Sequence, residues 1–174
     1  MHLLLFLEPG FVMDTPESIN EVVCAELPDI SWDPIGKFTD IVTSILCHGP
    51  CGDDNPKAPC MCYKVPGAPF KCSKSFPKPF CLDMVVHEDS YPEYRRRDNG
   101  RTFTVPKPGF PNQVIVRDNR WVVPYNPYLL QKFESHINVE VCAIVQAVKY
   151  MHKYIYKGSD YITLMVTNPE DKIT

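Results

Sequence analysis

The positions of the prolines constrain the fold of this chain more than any other feature of its sequence. The chain has 174 residues and 18 prolines, which interrupt almost every segment between residues 50 and 128. Proline has no backbone N–H and a fixed φ, so it ends helices and is excluded from the middle of a sheet. We therefore predict irregular loops and only short strands in this middle region.

Apolar periodicity predicts two helices before the proline-rich region. The first begins at Pro16, a favoured first helical residue, and we expect it to end near Pro28. The second opens at Asp33-Pro34, is apolar along one side, and stops at Gly49-Pro50. A third helix, over 147–158, follows the proline-rich region.

Alternating or continuous apolar runs predict the strands. They fall at 3–7, 82–87, 102–105, 136–142 and 163–167, with 114–116 and 121–123 forming a hairpin around 117–120, and a short helix or turn at 124–130. The predicted fold class is α+β, with an antiparallel sheet, flanking helices and a proline- and cysteine-rich loop insertion at 47–80.

The third helix carries two tyrosines one turn apart. Tyr150 and Tyr154 lie on the same helical face, so they can present two phenolic oxygens to one reaction centre. A positive stripe with the same period favours an ionised phenol and attracts phosphate; it consists of Lys149, Lys153 and Lys157. The alternative is a half-buried helix in which the tyrosines only pack.

Several long strings follow one another in a fixed order. They are His48-Gly-Pro-Cys51-Gly, Asn55-Pro-Lys-Ala-Pro-Cys60, Lys71-Cys-Ser-Lys74, Phe76-Pro-Lys-Pro-Phe80, Tyr94-Arg-Arg-Arg-Asp-Asn-Gly-Arg101, Asn119-Arg-Trp-Val-Val-Pro-Tyr-Asn-Pro-Tyr-Leu129, His136-Ile-Asn-Val-Glu-Val-Cys142 and the Tyr-x-x-Lys-Tyr of 150–154. From His2 to about Asp160, the chain resembles the replication-initiator (Rep) region of Helitron transposases, the helicase-like domain of these rolling-circle elements.

The resemblance implies an endonuclease of the HUH type, with an HUH/Rep-like sheet. In that family, two histidines around a hydrophobic residue bind Mg²⁺ or Mn²⁺, and a tyrosine attacks single-stranded DNA to form a 5′-phosphotyrosine link. The resemblance gives the nucleophile role to Tyr150 and Tyr154, and Lys153 matches the family's pattern. It also implies single-stranded DNA as the partner and a nuclear or otherwise intracellular location.

The match to the family is incomplete at the metal site. His2 corresponds to the second histidine of the His-hydrophobic-His motif, and the first histidine, the strand pair before it and the helicase part have no counterpart. A metal site needs its full set of ligands. We therefore expect an incomplete Rep-like domain over 1–160 that is inactive as it stands, with 161–174 as a tail or the start of a following segment.

A further ligand for that metal is predicted on the strand at 136–142. Its residues alternate, so the polar side chains His136, Asn138 and Glu140 share one face. If this strand pairs beside 3–7, Glu140 or His136 reaches the metal held by His2, and such ligands suit Mg²⁺ or Mn²⁺. A solvated polar face of the sheet is the alternative.

The cysteines indicate a second metal site. Five of the 8 cysteines fall between residues 47 and 72, and four residues there have the side chains that zinc prefers: His48, Cys51, Cys60 and Cys72. The loop cannot form a core of its own, so a structural zinc ion would explain how it holds its shape. Cys47 and Cys62 compete for the same role, and disulfides or unbound thiols are the other interpretations.

The distribution of charge bears on the partner. The net charge is −3, but basic patches occur at 71–78, 95–101 and 149–157. Local fields decide whether a phosphate backbone docks. The predicted DNA contacts are Arg95, Arg96, Arg97, Arg101, Lys149 and Lys157, with solvated arginines as the alternative reading.

The sequence has no run of about 20 apolar residues, as a membrane span needs, and its first residues lack the pattern of a secretory signal. We therefore expect no membrane partner and no secretion. The alternative to the nicking enzyme is a non-catalytic, zinc-stabilised DNA-binding remnant.

Overall fold

The fold is mixed α+β. The computed structural model describes residues 10, 13, 15–62, 71–86 and 92–141. These residues form helices α1 (Pro16–Val22), α2 (Lys37–Ile45) and α3 (Pro127–Phe133), and an antiparallel pair of strands, β1 (Phe103–Lys107) and β2 (Phe110–Arg117). Two 3₁₀ turns lie at Pro59–Cys62 and Asn119–Trp121. The predicted strands at 3–7 and 163–167 and the tyrosine helix at 147–158 lie outside the described residues.

Helix α1 begins where the sequence predicts and ends earlier. Thr15 caps it, because its side-chain oxygen accepts a hydrogen bond from the Ser18 N–H. The backbone becomes extended after Val22, and the Cys24 and Tyr125 backbones exchange two hydrogen bonds of 2.8 Å. Because the backbone N–H and carbonyl of Cys24 bond to Tyr125, they are not available for the hydrogen bonds of another helical turn. The predicted end of the helix near Pro28 is therefore wrong.

Helix α2 starts after a turn, not at Asp33-Pro34 as predicted. The buried Asp33 carboxylate accepts hydrogen bonds from the backbone N–H groups of Phe38 (3.1 Å) and Thr39 (2.8 Å). Backbone N–H groups in the first turn of a helix have no carbonyl partner within the helix, and the Asp33 carboxylate, which precedes the helix, accepts two of these hydrogen bonds. Gly36, with φ of +75°, makes the left-handed turn that brings the chain from Asp33 to Lys37.

The β-hairpin lies earlier in the chain than predicted. Strand β1 pairs with β2 from Phe103–Arg117 to Lys107–Phe110, with a register shift near Pro106. The predicted strand at 102–105 is therefore confirmed. The predicted hairpin around 117–120 is wrong because Asp118 accepts a hydrogen bond from the Arg120 N–H (3.0 Å) and caps the 3₁₀ turn Asn119–Trp121.

Two other predicted strands are not regular strands. The described part of 82–87 makes only an isolated bridge between Val85 and Glu93. At 136–141 the predicted alternation is confirmed: His136, Asn138 and Glu140 are exposed, whereas the residues between them turn inward and Val141 is buried. The segment is nevertheless held by single contacts, such as the Val139 N–H to the Pro124 carbonyl (3.0 Å), and not by a ladder.

Among the described residues, buried side chains form three clusters. The first joins α2 and α3 through Leu27, Val42, Leu46, Val122, Tyr125 and Leu130. A second surrounds Ile19 and Tyr94. The third comprises Cys51, Ala58, Met61, Cys72 and Trp121. Because Trp121 and Val122 are adjacent in the chain, the third cluster is attached to the first.

Candidate metal centre

Four side chains converge in the proline- and cysteine-rich loop. The ligand atoms of His48, Cys51, Cys60 and Cys72 all lie within 4.8 Å of one another. A tetrahedral zinc site with bonds of about 2.3 Å to sulfur separates its sulfur ligands by about 3.8 Å. The four side chains therefore need to move by no more than about 1 Å to close on an ion, and the cluster can hold a metal. The prediction that these four residues come together is confirmed.

His48 is positioned by the main body of the protein. Its backbone N–H donates to the Trp121 carbonyl (2.8 Å), beside the bridge between Cys47 and Val122. Its ring stacks on Phe76, with 4.3 Å between the ring centres and 6° between the planes. These contacts orient the imidazole so that Nε2 lies 3.4 Å from the Cys72 sulfur.

Two tight turns position Cys51 and Cys60. Gly52 follows Cys51 with φ of +68°, and its carbonyl accepts a hydrogen bond from the Asn55 N–H (3.2 Å). Cys60 lies in the 3₁₀ turn Pro59–Cys62, and its carbonyl accepts a hydrogen bond from the Ser73 N–H (2.8 Å). That bond ties the Cys60 turn to the segment that carries Cys72.

The electrostatics of the cluster favour a bound cation. Burial raises the pKa of Cys51 to about 12, and the neighbouring thiol of Cys72 adds to the rise. Burial also raises the pKa of Cys60. For Cys72 burial acts in the same direction, but backbone N–H groups of Phe76 and Lys74 point at the sulfur and lower its pKa overall. The protein by itself stabilises one thiolate, and a divalent ion would stabilise the others.

His48 is electrically suited to be the fourth ligand. Burial lowers its pKa, and the charges of Lys78 and Lys74 lower it further. The imidazole therefore stays neutral at physiological pH, which is the form that binds metals.

An aromatic and ionic stack joins the cluster to the hairpin. The Trp121 ring lies near-parallel to His48 and Phe76, with 6.3 Å between its centre and each of theirs. The guanidinium of Arg117, at the end of β2, lies over Trp121 and pairs with Asp54 (2.7 Å), which belongs to the loop between Cys51 and Cys60. Sequence reasoning missed Trp121, Arg117 and Asp54, because their spacing gives no signal of this contact.

The competing cysteines behave differently. Cys47 is not among the clustered residues, and burial raises its pKa to about 12, so it is a neutral, half-buried thiol. The side chain of Cys62 lies outside the described part. The six cysteines whose side chains the structure describes form no disulfide. All are free thiols: Cys24, Cys47, Cys51, Cys60, Cys72 and Cys81.

The predicted catalytic centre lies largely outside the described residues, which include none of His2, Tyr150, Lys153 and Tyr154. The two described candidates are exposed. The Nδ1 atom of His136 contacts the Ile45 carbonyl oxygen, and Glu140 accepts a hydrogen bond from Asn138 (3.0 Å). Neither belongs to a metal-binding cluster in the part of the chain that the structure describes.

The predicted arginine patch is divided between surface and interior. Arg96 is buried and donates to the Tyr94 and Val122 carbonyls (3.3 Å each), so the expectation of a fully solvated triplet is wrong. Arg97 makes a bidentate pair with the buried Glu26 (closest approach 2.6 Å), and Arg95 lies 3.6 Å from the same carboxylate. The exposed parts of Arg95, Arg97 and Arg101 stay predicted DNA contacts, and Lys149 and Lys157 lie outside the described residues.

None of the helices in the described ranges has the length and apolar character needed to cross a membrane. Comparison of the sequence with models of known protein families finds no match. Comparison with curated proteins finds no match either. The candidate site is therefore supported by its geometry and chemistry.

Proposed function

We propose that this protein is a zinc-stabilised DNA-processing domain of the Helitron Rep type, in which the ion has a structural role. The observation that carries the proposal is the convergence of His48, Cys51, Cys60 and Cys72 within 4.8 Å. Three thiolates and one imidazole are a complete tetrahedral set for zinc and leave no open position for a substrate. A closed site of this kind stabilises a fold and does not catalyse a reaction.

The chemistry of the ligands favours zinc over the other common divalent ions. Thiolate and imidazole are the ligands of zinc, whereas Mg²⁺ and Ca²⁺ take oxygen ligands. The loop also needs the ion, because two of the five buried residues in its cluster are ligands themselves. Zinc binding contributes about 10–16 kcal/mol in small zinc-dependent folds, which is enough to order a loop that lacks a core.

The metal content of the purified chain tests the zinc centre. We expect one zinc ion per chain by elemental analysis, and its loss in Cys60→Ser. Cys81→Ser is the matched control, because Cys81 is also a half-buried free thiol but lies outside the cluster. Cobalt substitution should give the visible absorption of a tetrahedral thiolate site. A chain without zinc, or a Cys60→Ser variant that retains it, would contradict the proposal.

The DNA-processing part is supported by the sequence resemblance, and all four ligands fall within the strings that carry it. In this proposal, His2 contributes to a Mg²⁺ or Mn²⁺ site, and Tyr150 and Tyr154 attack single-stranded DNA. In a version extended to carry the first histidine of the His-hydrophobic-His motif, incubation with single-stranded DNA and Mn²⁺ should give a covalent adduct that Tyr150→Phe and Tyr154→Phe abolish together. DNA binding without an adduct would instead favour the non-catalytic, zinc-stabilised DNA-binding module.

A further inference from the structure

The segment 71–80 alternates basic and aromatic side chains on the surface beside the zinc ligands. It contains Lys71, Lys74, Lys78, Phe76 and Phe80, and no acidic residue. Lys71 and Lys74 are exposed, and Phe80 keeps 38% of its surface in contact with solvent. The segment therefore presents part of an aromatic ring to solvent close in sequence to exposed lysines.

The segment is held in one conformation at several points. Cys72 anchors it in the metal cluster, the Lys78 N–H donates to the Arg120 carbonyl (3.0 Å), and the Cys81 N–H donates to the Arg96 carbonyl (2.9 Å). Prolines at 77 and 79 fix the φ angles between the aromatic residues. A partner therefore meets a prearranged surface and loses little affinity to ordering it.

Each aromatic ring has its own cationic neighbour. The Arg120 guanidinium lies over Phe80, 4.6 Å from the ring centre, and Asp118 holds it flat through bonds of 3.0 and 2.6 Å. The Lys78 ammonium lies 5.4 Å from the centre of the Phe76 ring. Flat guanidinium groups and aromatic rings are both surfaces on which nucleic-acid bases stack.

A groove runs beside the Phe76 ring. It has a volume of about 370 Å³ and is lined by Gly52, Lys71, Cys72, Ser75, Phe76 and Pro77. A volume of this size is within the range of small-molecule binding clefts, and an aromatic wall with a lysine at its edge suits a base and its phosphate.

We infer that this face, made of 71–80 and Arg120, binds single-stranded nucleic acid. Bases stack on Phe80 and Arg120, and Lys71 and Lys74 neutralise phosphates. The inference rests on the proposed function, because the zinc ion fixes the segment. An acidic peptide would need the lysines but not the stacked rings, so the rings favour nucleic acid. A zinc ion with three thiolates and a neutral imidazole carries a charge of −1, which the three lysines outweigh.

Fluorescence anisotropy with the zinc-loaded full chain tests this surface. The probes are a labelled oligothymidylate and an oligouridylate of equal length, which distinguish DNA from RNA. Phe80→Ala should weaken binding by about 5- to 150-fold, the loss that follows removal of one stacked base. Lys71→Ala with Lys74→Ala should lower the slope of log K against log salt by about 1.4, because each single-strand phosphate contact contributes about 0.7.

Phe110→Ala is the matched control. Phe110 is also an exposed ring with a cationic side chain over it, since the Lys107 ammonium lies 5.0 Å from its centre, but it is the first residue of β2 and not part of 71–80. Its removal should leave binding unchanged. Wild-type affinity in Phe80→Ala, an equal loss in Phe110→Ala, or no binding by the wild type would overturn the inference. Zinc content measured on the same samples separates the two proposals. If the chain contains zinc and Phe80→Ala does not change its affinity for the oligonucleotide, only the proposed binding surface is ruled out. If the chain contains no zinc but its affinity still depends on Phe80, only the proposed zinc centre is ruled out.

Discussion

The guanidinium of Arg117 lies 3.7 Å from the centre of the Trp121 ring, and the same guanidinium pairs with Asp54 at 2.7 Å. This contact connects the end of the hairpin with the loop between the second and third proposed zinc ligands. Arg117 is buried, with 6% of its surface exposed, so its interactions are shielded from water and salt. Trp121 in turn stacks near His48, and the metal cluster is thereby supported by a residue far from it in sequence.

Replacing Arg117 by lysine should destabilise the protein. Lysine keeps the charge but loses the flat group that stacks on Trp121 and the fork that reaches Asp54. A shielded cation–π contact contributes about 2 kcal/mol, so we expect a loss of about 2–3 kcal/mol in urea unfolding. Arg120→Lys is the control, because the Arg120 side chain is 41% exposed, so its pair with Asp118 and its contact with the Phe80 ring should each contribute only about 0–1 kcal/mol. Equal effects of the two replacements would argue against a special role for Arg117.

Removal of the metal should be visible in the fluorescence of Trp121. The protein has two tryptophans, and Trp32 is 42% exposed and contacts Phe38 in α2. In the Trp32→Phe variant, Trp121 is the only source of tryptophan fluorescence. Addition of a chelator should shift this emission to longer wavelength, because the loop opens and water reaches the Trp121 ring. In Trp121→Phe, the emission of Trp32 should stay unchanged, because the core around α2 does not include the ligands. A chelator that shifts Trp32 equally would mean that metal loss unfolds the whole chain.

Buried Asp33 should contribute to stability through the first turn of α2. Asp33→Ala leaves the N–H groups of Phe38 and Thr39 without an acceptor and should cost about 1–2 kcal/mol in urea unfolding. Asp33→Asn keeps one acceptor oxygen, so a smaller loss is expected. Asp29→Ala is a useful comparison, since Asp29 caps only the local turn at Ser31. A loss in Asp33→Ala no larger than that in Asp29→Ala would contradict the capping role.

The same carboxylate predicts a dependence of stability on pH. Burial alone would raise the pKa of Asp33, but the hydrogen bonds from Thr39 and Phe38 outweigh it and lower the pKa. The pKa of Asp33 is therefore lower in the folded state than its value of about 3.9 in the unfolded state. Ionised Asp33 stabilises the fold fully at pH values above about 3.9, and this stabilisation is lost as the pH falls through the folded-state pKa. Wild type and Asp33→Asn should therefore differ most near neutral pH and converge in acid. A constant difference over that range would show that ionisation of Asp33 does not contribute.

How far the sequence predicts the structure depends on whether the determining contacts are local. The four proposed zinc ligands were predictable because their side-chain chemistry is distinctive and they lie within one loop. The caps at Thr15 and Asn126 are also local; the helix after Thr15 was predicted, and the segment at Asn126 was predicted as a short helix or turn. In contrast, Arg117-Asp118-Asn119-Arg120 has the composition of a hairpin turn. The 3₁₀ turn is capped locally by Asp118, but it is also held by the contact of Trp121 with His48, a residue distant in sequence. The early end of α1 likewise depends on Tyr125, a partner from the other end of the described chain.

Metal binding itself should be strongly dependent on pH. Burial raises the pKa of Cys51 to about 12 and also raises that of Cys60, so both thiols are protonated at neutral pH in the absence of a cation. Zinc must displace both protons, and each displaced proton lowers the apparent affinity about tenfold per unit of falling pH. These two protons alone predict a loss of about 100-fold per pH unit. Isothermal titration calorimetry in two buffers of different ionisation enthalpy would count the released protons, and release of fewer than two at neutral pH would mean that the thiols are already ionised before the metal arrives.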